Sequence, residues 1–150
     1  MAGIAGKHGA SWIARVVRRV RGVLGLRGHA GRDETWLAGE DVAAVFLKSA
    51  GYRVLERNAV TPRGEADIVA KTPDDVTLVV IEVKARRVGG NARSDSMPPE
   101  ASLTSEKRKR LRGIAAHLAT ANGCATRVDL IAVEFREGAE PVVRHHVQVA

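Results

Sequence analysis

An α/β fold, with a mixed central sheet flanked by helices, is predicted by three features of this 150-residue sequence. Two β-branched apolar runs on either side of Thr72-Pro73-Asp74-Asp75 read as a β-hairpin of neighbouring strands. Two stretches carry apolar residues at helical spacing: Asp33 or Glu34 to Ala50, stopped by Gly51, and Thr104 to Ala121, stopped by Asn122-Gly123. A further apolar run, Arg127 to Phe135, follows the second helix. Its connection to the hairpin suits a parallel strand reached by a right-handed crossover. The predicted order is helix, three strands, helix, strand.

The chain divides near residue 32. Seven of its 24 Lys and Arg residues, and none of its 17 Asp and Glu, fall in residues 1–32, so the excess of +7 resides there. Residues 33–150 form the predicted domain and are formally neutral, so a nucleic-acid surface on them must be a local patch. From Ser11 to Leu26, Ile13, Val17, Val20 and Leu24 fall on one helical stripe opposite Arg15, Arg18 and Arg19. This segment reads either as a basic amphipathic helix that touches an anionic surface, nucleic acid or membrane, or as a mobile extension.

In the first helix of the domain, Trp36, Glu40, Ala43, Ala44 and Leu47 share one face, so Glu40 stands on the apolar stripe while Asp41 and Lys48 turn toward water. A carboxylate there needs a partner: an arginine, or a metal. Tyr52 to Asn58 reads as a strand, and Thr61-Pro62-Arg63-Gly64 as a tight turn. Glu65 and Asp67 then share a face of the next strand; Leu78, Val80, Glu82 and Lys84 share a face of the one after. Val79, Ile81 and Val83 fill the opposite face, which marks a central, buried strand. Residues 85–104, with Gly89-Gly90 and Pro98-Pro99, read as a long surface loop beside these carboxylates.

Thr104 or Ser105 caps the second helix, whose Lys107, Leu111, Ile114 and Leu118 point toward the sheet. Arg108, Lys109, Arg110 and Arg112 fan out around Lys107. Together with Arg86 these form the local basic patch, available for phosphate contact or simply solvated. Arg127 and Asp129 share a strand face and read as a structural charge pair. Pro141 to Val149 reads as a short edge strand on which His145 and His146 point to opposite faces and cannot chelate one metal; His117 reads as a flank or packing residue.

The pattern Asp67, then Glu82-Val83-Lys84, resembles the PD-(D/E)xK nuclease motif. With Gly39-Glu40, Gly51-Tyr52, Arg57-Asn58, Gly64-Glu65, Asp67-Ile68-Val69, Arg86, Lys107 and Arg127-Val128-Asp129, the stretch from Trp36 to Phe135 resembles the YraN family of uncharacterised, endonuclease-like bacterial proteins, protein family 0102. The resemblance implies a restriction-endonuclease-like core, similar to that of Holliday-junction resolvases. It implies that Asp67 and Glu82 hold Mg²⁺ or Mn²⁺, with Glu40 and the main-chain carbonyl of Val83 adding oxygens and Glu65 close by. Lys84 would orient the attacking water or stabilise the transition-state anion.

The function implied is metal-dependent cleavage of DNA, structured or branched DNA among its forms. Two other readings stay open: a nuclease-fold protein that binds nucleic acid or a protein partner without cutting, and a satisfied buried ion-pair network of Glu40, Glu82 and Lys84. Only five aromatic residues occur, none in the basic patch, which disfavours recognition by base stacking. No apolar run approaches the ~20 residues of a membrane span. The single cysteine, Cys124, excludes an internal disulfide and favours a reducing, cytoplasmic setting. A homodimer is compatible with these features.

Overall fold

The computed structural model describes residues 32–89 and 98–150. Helix α1 (Arg32–Ser49) precedes strands β1 (Arg53–Thr61), β2 (Gly64–Lys71) and β3 (Leu78–Val88). A short 3-10 helix (Pro99–Ser102), helix α2 (Ser105–Asn122), β4 (Thr126–Arg136) and β5 (Val142–His146) follow. The strands form one sheet in chain order, with β3–β4 parallel and the other three pairs antiparallel. This is a mixed α/β sheet with a restriction-endonuclease-like core. The basic segment and the stripe expected over Ser11 to Leu26 lie outside the described residues, as does 90–97 of the expected loop.

Central strand β3 separates two cores. Val79, Ile81 and Val83 pack with Val42, Ala43 and Leu47 of α1 and with Ile68, Ile131 and Val133. Leu78 and Val80 pack with Leu111 and Ile114 of α2 and with Val69, Val128 and Leu130. Each Val, Leu or Ile among these contributes roughly 1.5–3 kcal/mol when fully buried. Strand alternation then decides the faces: Glu82 and Lys84 continue the Leu78–Val80 row toward α2. The helix that carries Glu40 therefore packs on the opposite face of β3, and the Glu40 charge still acts on Asp67 from there.

Gly39 sets how closely α1 approaches. A Cβ at this position would lie 2.3 Å from the Cβ of Ala85, so only glycine lets the helix backbone rest on β3 there. The expected apolar face of α1 begins later than Trp36, which is 40% exposed; Ala38, Glu40, Ala43, Ala44 and Leu47 are buried. Strand β3 runs to Val88 because Ala85 to Val88 stay in parallel register with Val133 to Arg136. The loop beside the carboxylates is correspondingly shorter than 85–104. Thr104 caps α2 by accepting the Lys107 N–H, and Gly123 closes it in the left-handed conformation, φ 61°. Among the described residues no helix is long and apolar enough to cross a membrane.

Candidate active site

Strands β2 and β3 pair from Lys71–Leu78 to Ile68–Ile81. Beyond that point the N–H of Val83 donates to Asp67 Oδ2 at 2.7 Å. Asp67 thus fills the place where the two strands part. Glu82, almost fully buried, points to the α2 side, where Lys84 Nζ lies 3.0 Å from its Oε1. Lys107 Nζ, reaching down from the first turn of α2, bonds the same oxygen.

Burial pushes the Asp67 carboxyl up, the charge of Glu82 pushes it further, and it reaches about 7. The Val83 N–H and the Lys107 ammonium act in the other direction, while Glu40 adds to the rise. Burial works against the Lys107 ammonium, yet its bond to Glu82 and that group's charge hold its pKa above the ordinary value. The structure so brings Asp67, Glu82 and Lys84 together, and adds Lys107 to them. The sequence reading gave Lys107 to the phosphate-contacting patch; its ammonium is committed to Glu82. Its helical phase, in register with Leu111 and Ile114, carried that signal.

Glu40 is fully buried. Its Oε2 lies 3.5 Å from Arg57 Nη2, whose other nitrogen makes the shorter bond, 2.7 Å, to Asp41. Its Oε1 has no hydrogen-bond partner among the described residues. Burial raises the Glu40 carboxyl, with Arg57 and Asn58 opposing. Arg57-Asn58 and Gly39-Glu40, noted in the sequence as separate dipeptides, are therefore one structural unit. Asn58 serves it from a left-handed backbone, φ 51°.

Among the described residues no three of His, Cys, Asp and Glu form a ready-made metal cage, Glu40, Asp67 and Glu82 included. The reason is physical: each of the three already has its own partner, respectively Arg57, the Val83 N–H and the two lysines. Val83 enters the site through its N–H. Glu65 is exposed.

The basic patch divides. Arg86 pairs with buried Glu134 at 3.1 Å, and Arg108 donates to the carbonyls of Leu103 and Val149 at 3.4 and 2.9 Å. Lys109, Arg110 and Arg112 are exposed. Arg86 belongs to a chain that the sequence did not reveal. Arg144 Nη2 lies 2.6 Å from Glu134 and its Nε 2.5 Å from Glu100, which also meets His146 Nε2 at 2.8 Å. The chain ties β3, β4 and β5 to the 3-10 helix that leads into α2 and Lys107. The Arg127–Asp129 pair is present at 3.0 Å, and His145 joins it at 2.9 Å, opposite in direction to His146.

Fold and motif together define an α/β protein with a restriction-endonuclease-like core. The chain belongs to the uncharacterised protein family UPF0102, whose profile matches residues 39–133. This is the family its motifs resemble. A UPF0102 protein of Pelobacter propionicus is 37% identical over 112 residues, covering 73% of this chain and 76% of the relative. One of Anaeromyxobacter dehalogenans is 36% identical over 118 residues, with 77% and 82% covered. Among solved structures, SfsA of Pyrococcus furiosus in complex with Ca²⁺ is similar at a TM-score of 0.31 and 12% identity, over 76% of this chain and 63% of that one. A likeness at that level says nothing about the site.

Proposed function

We propose that this protein is a metal-dependent endonuclease that hydrolyses phosphodiester bonds in DNA, structured or branched DNA included. The observation that carries the reading is Asp67 fixed at the strand split beside Glu82, with Lys84 on the same Glu82 oxygen. A phosphodiester resists neutral water, so cleavage needs an activated water and a counter-charge for the phosphate. Mg²⁺ or Mn²⁺, held by Asp67 and Glu82 with Glu40 and the Val83 main chain near, would supply both. The residues suit such an ion: the donors are all oxygen, Glu40 Oε1 is buried without a partner, and a cation would relieve the charge repulsion felt by Asp67.

The protein's own groups do the rest. The Val83 N–H holds the Asp67 carboxylate in one orientation. Lys84, 23% exposed at its side chain, can donate from Glu82 toward an attacking water or a phosphate oxygen. Lys107 balances the charge on Glu82. A second reading, a nuclease-fold protein that binds DNA or a protein partner without cutting, is favoured by the partner that each carboxylate already has.

Gel assays with branched, duplex and single-stranded DNA in Mg²⁺, Mn²⁺ or EDTA separate the two. Under the nuclease reading Asp67→Asn and Glu82→Gln abolish metal-dependent cleavage and keep DNA binding. Lys84→Ala slows cleavage by roughly 10²–10³-fold, the usual effect of losing one transition-state donor. Absence of both cleavage and a Mn²⁺-dependent rise in Tm would hand the protein to the non-cutting reading.

A further inference from the structure

The β1–β2 turn and the first half of α2 face each other across an open cleft of about 550 Å³. That lies within the ~300–1,000 Å³ typical of ligand sites. Its walls include Arg63 from the turn and Glu106, Lys107, Lys109 and Arg110 from the helix. Glu106 is its one acidic residue among those described. Lys107 lines the cleft and is bonded to Glu82, so the cleft wall is joined to the carboxylates through it. The side chains of Arg63, Lys109 and Arg110 have no ion-pair or hydrogen-bond partner among the described residues. These cations are presented to the cleft rather than used by the fold.

Two glycines shape the walls. Gly64 has φ 127°, which L side chains rarely adopt, and a Cβ there would sit 3.3 Å from Arg110 Cδ. A Cβ on Gly113 would meet the Arg63 stem at 3.9 Å. Each arginine therefore lies along the glycine of the opposite wall, and Pro62 stiffens the turn that carries Arg63. Among the described residues no aromatic side chain lines the cleft, so its walls offer charge and N–H donors rather than a stacking surface. Such a wall suits phosphates, not bases. Guanidinium groups suit them best, because they bind phosphate oxygens in pairs.

We propose that this cleft binds backbone phosphates of a nucleic-acid strand next to the phosphate at Asp67 and Glu82, with Arg63 as a phosphate-contacting residue beside Lys109 and Arg110. The proposal rests on the nucleic-acid reading above and adds a second binding site to it. Its consequence is that grip on the strand is independent of base sequence and of metal.

The test is DNA binding by the full chain in EDTA, followed by fluorescence anisotropy on labelled duplex between 50 and 200 mM salt, a range chosen for the steep dependence of phosphate contacts. Arg63→Ala, Lys109→Ala and Arg110→Ala should each flatten the log–log slope by about 0.9, and the triple variant by about 2.7. Arg63→Lys should keep the parent slope. Arg112→Ala, exposed on the same helix but outside the cleft, should change it by less than half as much. An unchanged slope in the single variants, or equal flattening by Arg112→Ala, overturns the proposal. Cleavage is scored separately in Mg²⁺ and Mn²⁺. Intact cleavage with no slope effect sinks the cleft alone; a slope effect without cleavage sinks the nuclease reading alone.

Discussion

Asp67→Asn should make the protein more stable at neutral and alkaline pH. In the fold the Asp67 carboxyl is pushed from 3.8 to about 7, first by burial and next by the charge of Glu82. A raised carboxyl binds its proton more tightly folded than unfolded. The stability linked to it is fully present below about pH 4 and is lost as pH rises toward about 7. At ~1.4 kcal/mol per pH unit, a rise of that size has a ceiling of about 4 kcal/mol. Asp67 is only partly buried and solvent screens part of that cost, so about 2 kcal/mol is the expected gain. Asparagine keeps an oxygen to accept the Val83 N–H, so the strand split is preserved.

At ~2–4 °C per kcal/mol, the variant should melt roughly 4–8 °C above the parent at pH 8. The gap should close by about pH 4, where the parent carboxyl is protonated when folded. Circular dichroism melts at steps of pH measure it directly. A gap that does not vary with pH, or a variant that melts below the parent at pH 8, refutes the argument. Mn²⁺ provides the complementary arm. At a concentration 100 times its Kd a bound ion stabilises by about 2.7 kcal/mol, and this rise should appear in the parent and vanish in Asp67→Asn.

Gly39→Ala should cost roughly 1–3 kcal/mol in urea denaturation, since its Cβ would meet Ala85 at 2.3 Å, and Ala85→Gly should restore most of the loss. Arg144→Met should destabilise by about 1–3 kcal/mol, because it takes a shared cation from buried Glu134 and half-buried Glu100. The Arg144 bond holds Glu100 down at about 2, so the stability from Glu100 is present above its ordinary 4.5 and fails only as pH falls toward 2. An acid titration that loses it near pH 4 would contradict this. Glu40→Gln should lower the Asp67 pKa and leave the Asp67–Val83 bond in place, read by carboxyl NMR titration; an unmoved Asp67 would separate the two layers.

Most of the fold was legible because local rules decide it. The period of two along Leu78 to Lys84, the Pro-Asp-Asp turn and the Gly51 and Gly123 stops act over a few residues. The register with β4 does not, and so the end of β3 at Val88 came only from the partner strand. The candidate site was legible where strand alternation fixes it: Asp67, Glu82 and Lys84. It was not legible where helix packing decides it. Helical phase aims Glu40 and Lys107 inward but cannot say which face of the sheet each helix covers. The Arg86–Glu134–Arg144–Glu100–His146 chain left no sequence signal, because its members lie on separate elements and only the tertiary pairing of those elements brings them together.

The assignment of Glu40 and Glu82 to opposite layers makes Asp67 the group on which the site turns. Side chains of β3 leave the sheet alternately up and down, so Glu82 can meet α2 and cannot meet α1. A backbone N–H instead points sideways, in the plane of the sheet, toward the next strand. A carboxylate that accepts the Val83 N–H must lie in that plane. From there Asp67 feels the charges of both Glu82 and Glu40, and each raises its pKa. The buried Glu40 oxygen without a partner and the lysine-bound Glu82 then communicate through a single residue. Substitution of either glutamate should therefore be felt first as a change in the proton affinity of Asp67, before any change in the fold.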